Sequence, residues 1–251
     1  KLYEKENQWN LVAENTQELL KQEPKNANLY LYLSDAYVKT NRLNQAISAA
    51  EKAAKLNPKD AAAQLQCALL YEKAKQDDKA IEAYQKLVSL KPKHAAAYNN
   101  LGLLEEKRGN RKSALEYYEK AVALDPENRI FLINLADAYE KDKQWDKAVD
   151  AYEKIVKADA DNKSVWEALA VLNLKLGREN NAVIAYRELC RIEPKNALWH
   201  KRLATLLEKQ GNLAEAKKEY KAVLKINPKD KEAKQKLLDI SIKTLEKKHK
   251  K

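Results

Sequence analysis

The chain of 251 residues contains no methionine, one phenylalanine, only four glycines, two cysteines and three histidines. So few glycines leave no Gly-rich loop to cradle a phosphate, and no segment pairs a nucleophile with its base. His94, His200 and His249 never stand beside a cysteine or a second histidine in a ligand spacing, so no metal site, cofactor or catalytic residue is predicted. No stretch approaches the run of about 18 apolar residues that spans a bilayer. These absences argue against an enzyme and against a membrane-spanning protein.

What is present is periodic. Six prolines stand at Pro24, Pro58, Pro92, Pro126, Pro194 and Pro228, so every interval is 34 residues or twice that, with Ala160 on the skipped beat. A fixed period of this length without insertions marks stacked supersecondary units rather than one globular core. With proline at position 32, position 20 is always alanine: Ala46, Ala80, Ala114, Ala148, Ala182 and Ala216. Position 24 is tyrosine in five units, from Tyr84 to Tyr220, and position 8 is small throughout. Positions 4, 7, 8 and 11 form one helical stripe and 20, 24 and 27 a second, so each unit is a pair of amphipathic helices. Gly109, Gly177 and Gly211 fall at position 15, where the first helix must stop and turn.

This pattern resembles the tetratricopeptide repeat, most closely over Ala95 to Asn128, which contains Tyr98-Asn99-Asn100-Leu101-Gly102. The resemblance implies an all-α, right-handed solenoid superhelix of stacked antiparallel helix pairs, acting as a protein–protein interaction scaffold. Six full repeats are expected at 27–60, 61–94, 95–128, 129–162, 163–196 and 197–230. Residues 1–26 read as a partial repeat: the tail of a first helix to Glu6, then a complete second helix. Because the chain starts in mid-repeat and lacks methionine, further sequence is expected upstream. Residues 231–251 read as a polar capping helix, with Leu237, Leu238 and Ile240 on its apolar side, and a basic tail. Cys67 and Cys190 lie almost four repeats apart, too far to bridge, and read as small buried apolar residues. His200 is expected to fill the aromatic slot at position 4.

The net charge is +11. Position 13 is lysine in every unit (Lys5, Lys39, Lys73, Lys107, Lys141, Lys175, Lys209, Lys243), which resembles a track for a polyanion. A cation in the last turn of a helix also complements its dipole, and glutamate precedes the lysine in five units. Nucleic acid is therefore the lesser reading. Self-association through an apolar groove or the N-terminal end is a third, leaving room for a homo-oligomer or larger complex.

In the resembled family, positions 2, 5, 6, 9, 12 and 13 of the first helix line a concave groove that receives an extended peptide or a partner's helix. Asn100 and Asn134 at position 6 match the asparagines that hold a peptide main chain, and Gln66 extends that ladder. Leu65, Leu69, Leu103, Ile130, Ile133 and Val171 put apolar groups on the same face, beside Asn99 and Asp137. Lys201 and Arg202 make its C-terminal end basic. Because Asn100 and Asn134 point away from the core stripe, their removal is expected to cost affinity for a partner and little stability. The two-lysine clamp that reads acidic chaperone tails is absent: Leu65, Leu69 and Ile130 stand where it would be.

Overall fold

The computed structural model describes residues 2–249, with side chains over 8–245. Among the described residues there are fourteen helices and no strand. The first helices of the six repeats are α2 (Ala27–Lys39), α4 (Ala61–Lys73), α6 (Ala95–Lys107), α8 (Arg129–Lys141), α10 (Lys163–Lys175) and α12 (Ala197–Lys209). Their partners are α3 (Leu43–Leu56), α5 (Asp77–Leu90), α7 (Arg111–Leu124), α9 (Trp145–Ala158), α11 (Glu179–Ile192) and α13 (Leu213–Ile226). The ends are α1 (Leu2–Gln22) and α14 (Lys231–His249). The chain forms two compact units, 1–131 and 132–251. In the first, each helix from α1 to α7 packs on the next in sequence; in the second, the same holds from α9 to α14.

Local chemistry sets each boundary. Position 34 supplies the N-cap: Asn26, Asp60, Asn162 and Asn196 accept backbone N–H groups of the following helix, and at His94 the ring Nδ1 does so. Such a cap contributes about 1 kcal/mol by satisfying an orphan donor. At the other end, position 15 is left-handed in all six repeats: Gly109, Gly177 and Gly211, but also Asn41, Lys75 and Lys143. The N–H after it bonds five residues back, as in Gln76 to Tyr71 O at 2.8 Å and Asn110 to Glu105 O at 2.9 Å. This 6→1 closure turns the chain into the second helix.

The small residues let the helices of a pair approach. Every position-20 alanine is buried, and so are Tyr84, Tyr118, Tyr152, Tyr186 and Tyr220. The approach is closest at Gly102, where an added Cβ would stand 2.5 Å from the ring of Tyr118. Two expectations about the ends are corrected. α1 does not break after Glu6 but runs unbroken to Gln22. In α14, Ile240 is buried but Leu238 is exposed, with Ile242 and Leu245. Its outer face is thus more apolar than that of a polar cap.

Candidate functional site

Each first helix buries one stripe and presents another. In the N-terminal unit the presented stripe carries large apolar groups: Tyr32 is 65% exposed, Leu69 45%, Leu103 43% and Ile130 65%. Leu65 packs in part against the core below them. Asn99 does not belong with these residues, because it is only 4% exposed. At 100° per residue, position 5 lies on the edge of the buried stripe, and in this repeat it turns inward.

The amides at position 6 serve neighbouring repeats. Gln66 Nε2 donates to Asp35 Oδ1 at 2.8 Å, joining α4 to α2. Burial raises the Asp35 pKa above the usual carboxylate value, opposed by this bond and by Lys39. Asn100 Nδ2 donates to the hydroxyl of Tyr84 at 2.8 Å, and that hydroxyl in turn donates to Glu72. The expectation that Asn100 is independent of stability is therefore corrected: it closes a chain of bonds onto a wholly buried tyrosine.

In the C-terminal unit Val171 and Arg202 are exposed, whereas Ile133 and Asn134 are half-buried. Asp137 accepts from Tyr152 at 2.5 Å, and burial beside that carboxylate pushes the phenol pKa up. Lys201 is bound by Asp230 at 2.8 Å and Glu232 at 3.0 Å, so its charge is committed to the start of α14.

The lysine register is also used internally. Lys107 pairs with Asp77 at 2.5 Å, Lys209 with Glu179, and Lys175 sits 4.3 Å above the Trp145 ring with Glu140 at 3.9 Å. These position-13 lysines tie one repeat to its predecessor, which lowers the potential they offer to a phosphate backbone.

Both cysteines are free, with Cys67 buried and Cys190 half-buried. Burial first, and nearby glutamate second, pushes their thiols up to about 11 for Cys67 and about 12 for Cys190. A constellation absent from the sequence reading lies around Cys190. His200 Nδ1 is 2.6 Å from Glu219 Oε2, and ligand atoms of Cys190, His200 and Glu219 all fall within 4.8 Å of one another. His200 thus does not stand apart from cysteine, as chain spacing suggested. The signal was present by repeat position: position 28 of one unit, and 4 and 23 of the next, change together only here.

Two family models, each described as tetratricopeptide repeat, match the chain. One spans residues 106–172 and 174–239, the other 13–61, 33–95 and 68–129. No curated protein matches the chain. Among solved structures, the C-terminal part of a TPR repeat-containing protein from Cytophaga hutchinsonii is 19% identical with a TM-score of 0.67, covering 92% of this chain and 95% of that one. YrrB, described as a TPR protein with an unusual peptide-binding site, is 18% identical with a TM-score of 0.63, over 74% of this chain and 96% of its own. A chain of the Naa15/Naa10 complex bound to HypK-THB is 20% identical with a TM-score of 0.65, over 95% of this chain and 37% of its own. These likenesses establish a solenoid of stacked helix pairs. No described helix is long and apolar enough to cross a membrane.

Proposed function

We propose that this chain, which belongs to the tetratricopeptide repeat family, recognises a partner protein by receiving an extended or helical segment on the presented face of its first helices. Scaffolds of this family generally mediate protein–protein interactions, and YrrB is a case in which the fold carries a peptide-binding site. The observation that carries the reading is the set Tyr32, Leu69, Leu103 and Ile130 in the N-terminal unit, apolar and 43–65% exposed on helices that bury their opposite stripes. Clustered apolar side chains on an open surface are where association releases the most water. Completing the burial of one leucine from half exposure contributes on the order of 1 kcal/mol. Beside them, Asn100 spends one amide N–H internally and keeps a second N–H and an acceptor oxygen for a peptide backbone, while Gln66, whose Nε2 donates to both Asp35 and Ser34, offers its acceptor oxygen.

The reading is tested by selecting peptides from a random library against the purified protein and measuring one tight binder against variants. Leu69→Glu and Leu103→Glu are expected to weaken it at least tenfold (about 1.4 kcal/mol) with unchanged melting temperatures. Leu124→Glu, at an exposed leucine of the second helix α7, is expected to leave it unchanged. Equal affinity for all three variants would remove the site from the first helices.

A further inference from the structure

Three side chains of ligand type converge in the C-terminal unit where α11 meets α12 and α13. Cys190, His200 and Glu219 each offer one atom, and these atoms lie within 4.8 Å of one another. The equivalent place in other repeats is filled differently. It holds Ala54, Gln64 and Ala83 at one junction, Val88, Tyr98 and Tyr117 at the next, and Val156, Trp166 and Ala185 at another. Only at this junction do all three positions become sulfur, imidazole and carboxylate.

The contacts of His200 set the orientation of its ring. His200 faces an acceptor on both sides: Nδ1 is 2.6 Å from Glu219 Oε2, and Nε2 is 3.2 Å from the carbonyl oxygen of Pro194. A neutral imidazole has one N–H. In the tautomer whose Nε2–H donates to the Pro194 carbonyl, Nδ1 presents its lone pair beside Glu219 and Cys190.

We propose that a divalent transition-metal ion of the zinc class occupies this place, held by Cys190 Sγ, His200 Nδ1 and a carboxylate oxygen of Glu219, with solvent as a fourth ligand. A sulfur, nitrogen and oxygen donor set suits a borderline-soft ion. Bonds of about 2.0–2.3 Å in a tetrahedron put ligand atoms roughly 3.3–3.8 Å apart, so an ion draws in the widest separation, up to 4.8 Å, by about 1 Å and spreads the 2.6 Å Nδ1–Oε2 pair by about 0.7 Å. Pro194 supplies the outer contact such a histidine needs. Its carbonyl takes the Nε2 proton and leaves the Nδ1 lone pair facing the metal. The side chains of His200 and Glu219 are 13% and 16% exposed, shielded yet open to exchange with solvent. The ion would clamp three helices of two successive repeats.

Cobalt(II) is the probe, because its spectrum reports its ligands. Reduced, metal-free protein titrated with Co²⁺ is expected to bind one equivalent, with a thiolate charge-transfer band in the near ultraviolet and the visible bands of a tetrahedral ion. One equivalent of Zn²⁺ should displace it. Cys190→Val, His200→Tyr and Glu219→Ala install residues that other repeats carry at the same positions, so the hairpins are retained, and Cys67 is present in every variant. Cys190→Val should abolish the thiolate band, and the other two should weaken binding at least about tenfold. No thiolate band, a band that survives Cys190→Val, or binding indifferent to His200→Tyr would each overturn the proposal.

Discussion

Asn100 donates through Nδ2 to the hydroxyl of Tyr84 at 2.8 Å, so the presented face of one repeat is fastened to the buried seam of the repeat before it. The tyrosine is wholly buried and passes its own proton to Glu72. Asn100→Ala removes a donor to a buried oxygen. It is expected to destabilise the chain by about 0.5–1.5 kcal/mol, read as a lower urea midpoint with an unchanged m-value. An unchanged midpoint would show that the bond is exchanged for solvent at no cost.

Lys75 and Lys143 hold the left-handed position that glycine fills in three other repeats. A side chain there costs about 1 kcal/mol or more. Lys75→Gly and Lys143→Gly are each expected to stabilise the protein, by about 0.5–1 kcal/mol after the added entropy of glycine in the unfolded chain. Thermal denaturation of the single and double variants checks this; a lower melting temperature in both would show that the lysine side chains make contacts worth more than the strain.

Much of this architecture is legible in the chain, and the exceptions have physical causes. Helices begin at Ala27, Ala61, Ala95, Arg129, Lys163 and Ala197, where the period puts them. The stripes at positions 20 and 24 are buried as their spacing requires. Asn99 was not legible as buried, because position 5 lies at the stripe's edge and a few degrees of rotation decide its side. The unbroken α1 was not legible either, because the asparagine at its turn position permits a turn without compelling one. Cys190, His200 and Glu219 escape a reading of ligand spacing along the chain, because three separate helices bring them together.

Asn173 stands at position 11, where other repeats carry tyrosine, glutamate or leucine. It is 2% exposed; its Nδ2 donates to Leu169 O at 2.9 Å, but Oδ1 has no hydrogen-bond partner. An unsatisfied buried carbonyl costs about 1–3 kcal/mol. Asn173→Leu, which installs the residue of Leu207 at the same position, is expected to raise the melting temperature. A fall would indicate that the amide oxygen is solvated by a buried water in solution.

Burial pushes the Cys67 thiol up to about 11, and Tyr71 and Tyr84 are raised also, each beside a glutamate. These groups are acids held neutral in the folded chain. Their contribution to stability is complete below the unfolded values, near pH 9 for the thiol and 10 for the phenols. It declines as pH rises through the folded values, because the unfolded chain has by then released protons that the folded chain retains. Stability measured by urea denaturation is expected to fall from about pH 9 upward. A flat profile to pH 11 would contradict the burial of these groups.

Photo-crosslinking decides whether a bound peptide is held on the first helices. A benzophenone amino acid is placed at Leu69 or Leu103 on the first helices, or at Leu124 on the second helix α7, all exposed in the structure. Each protein is irradiated with a bound, library-selected peptide and analysed by mass spectrometry. Peptide adducts that excess unlabelled peptide competes away are expected from positions 69 and 103, and none from 124. Adducts from 124 with none from 69 and 103 would contradict recognition on the first helices.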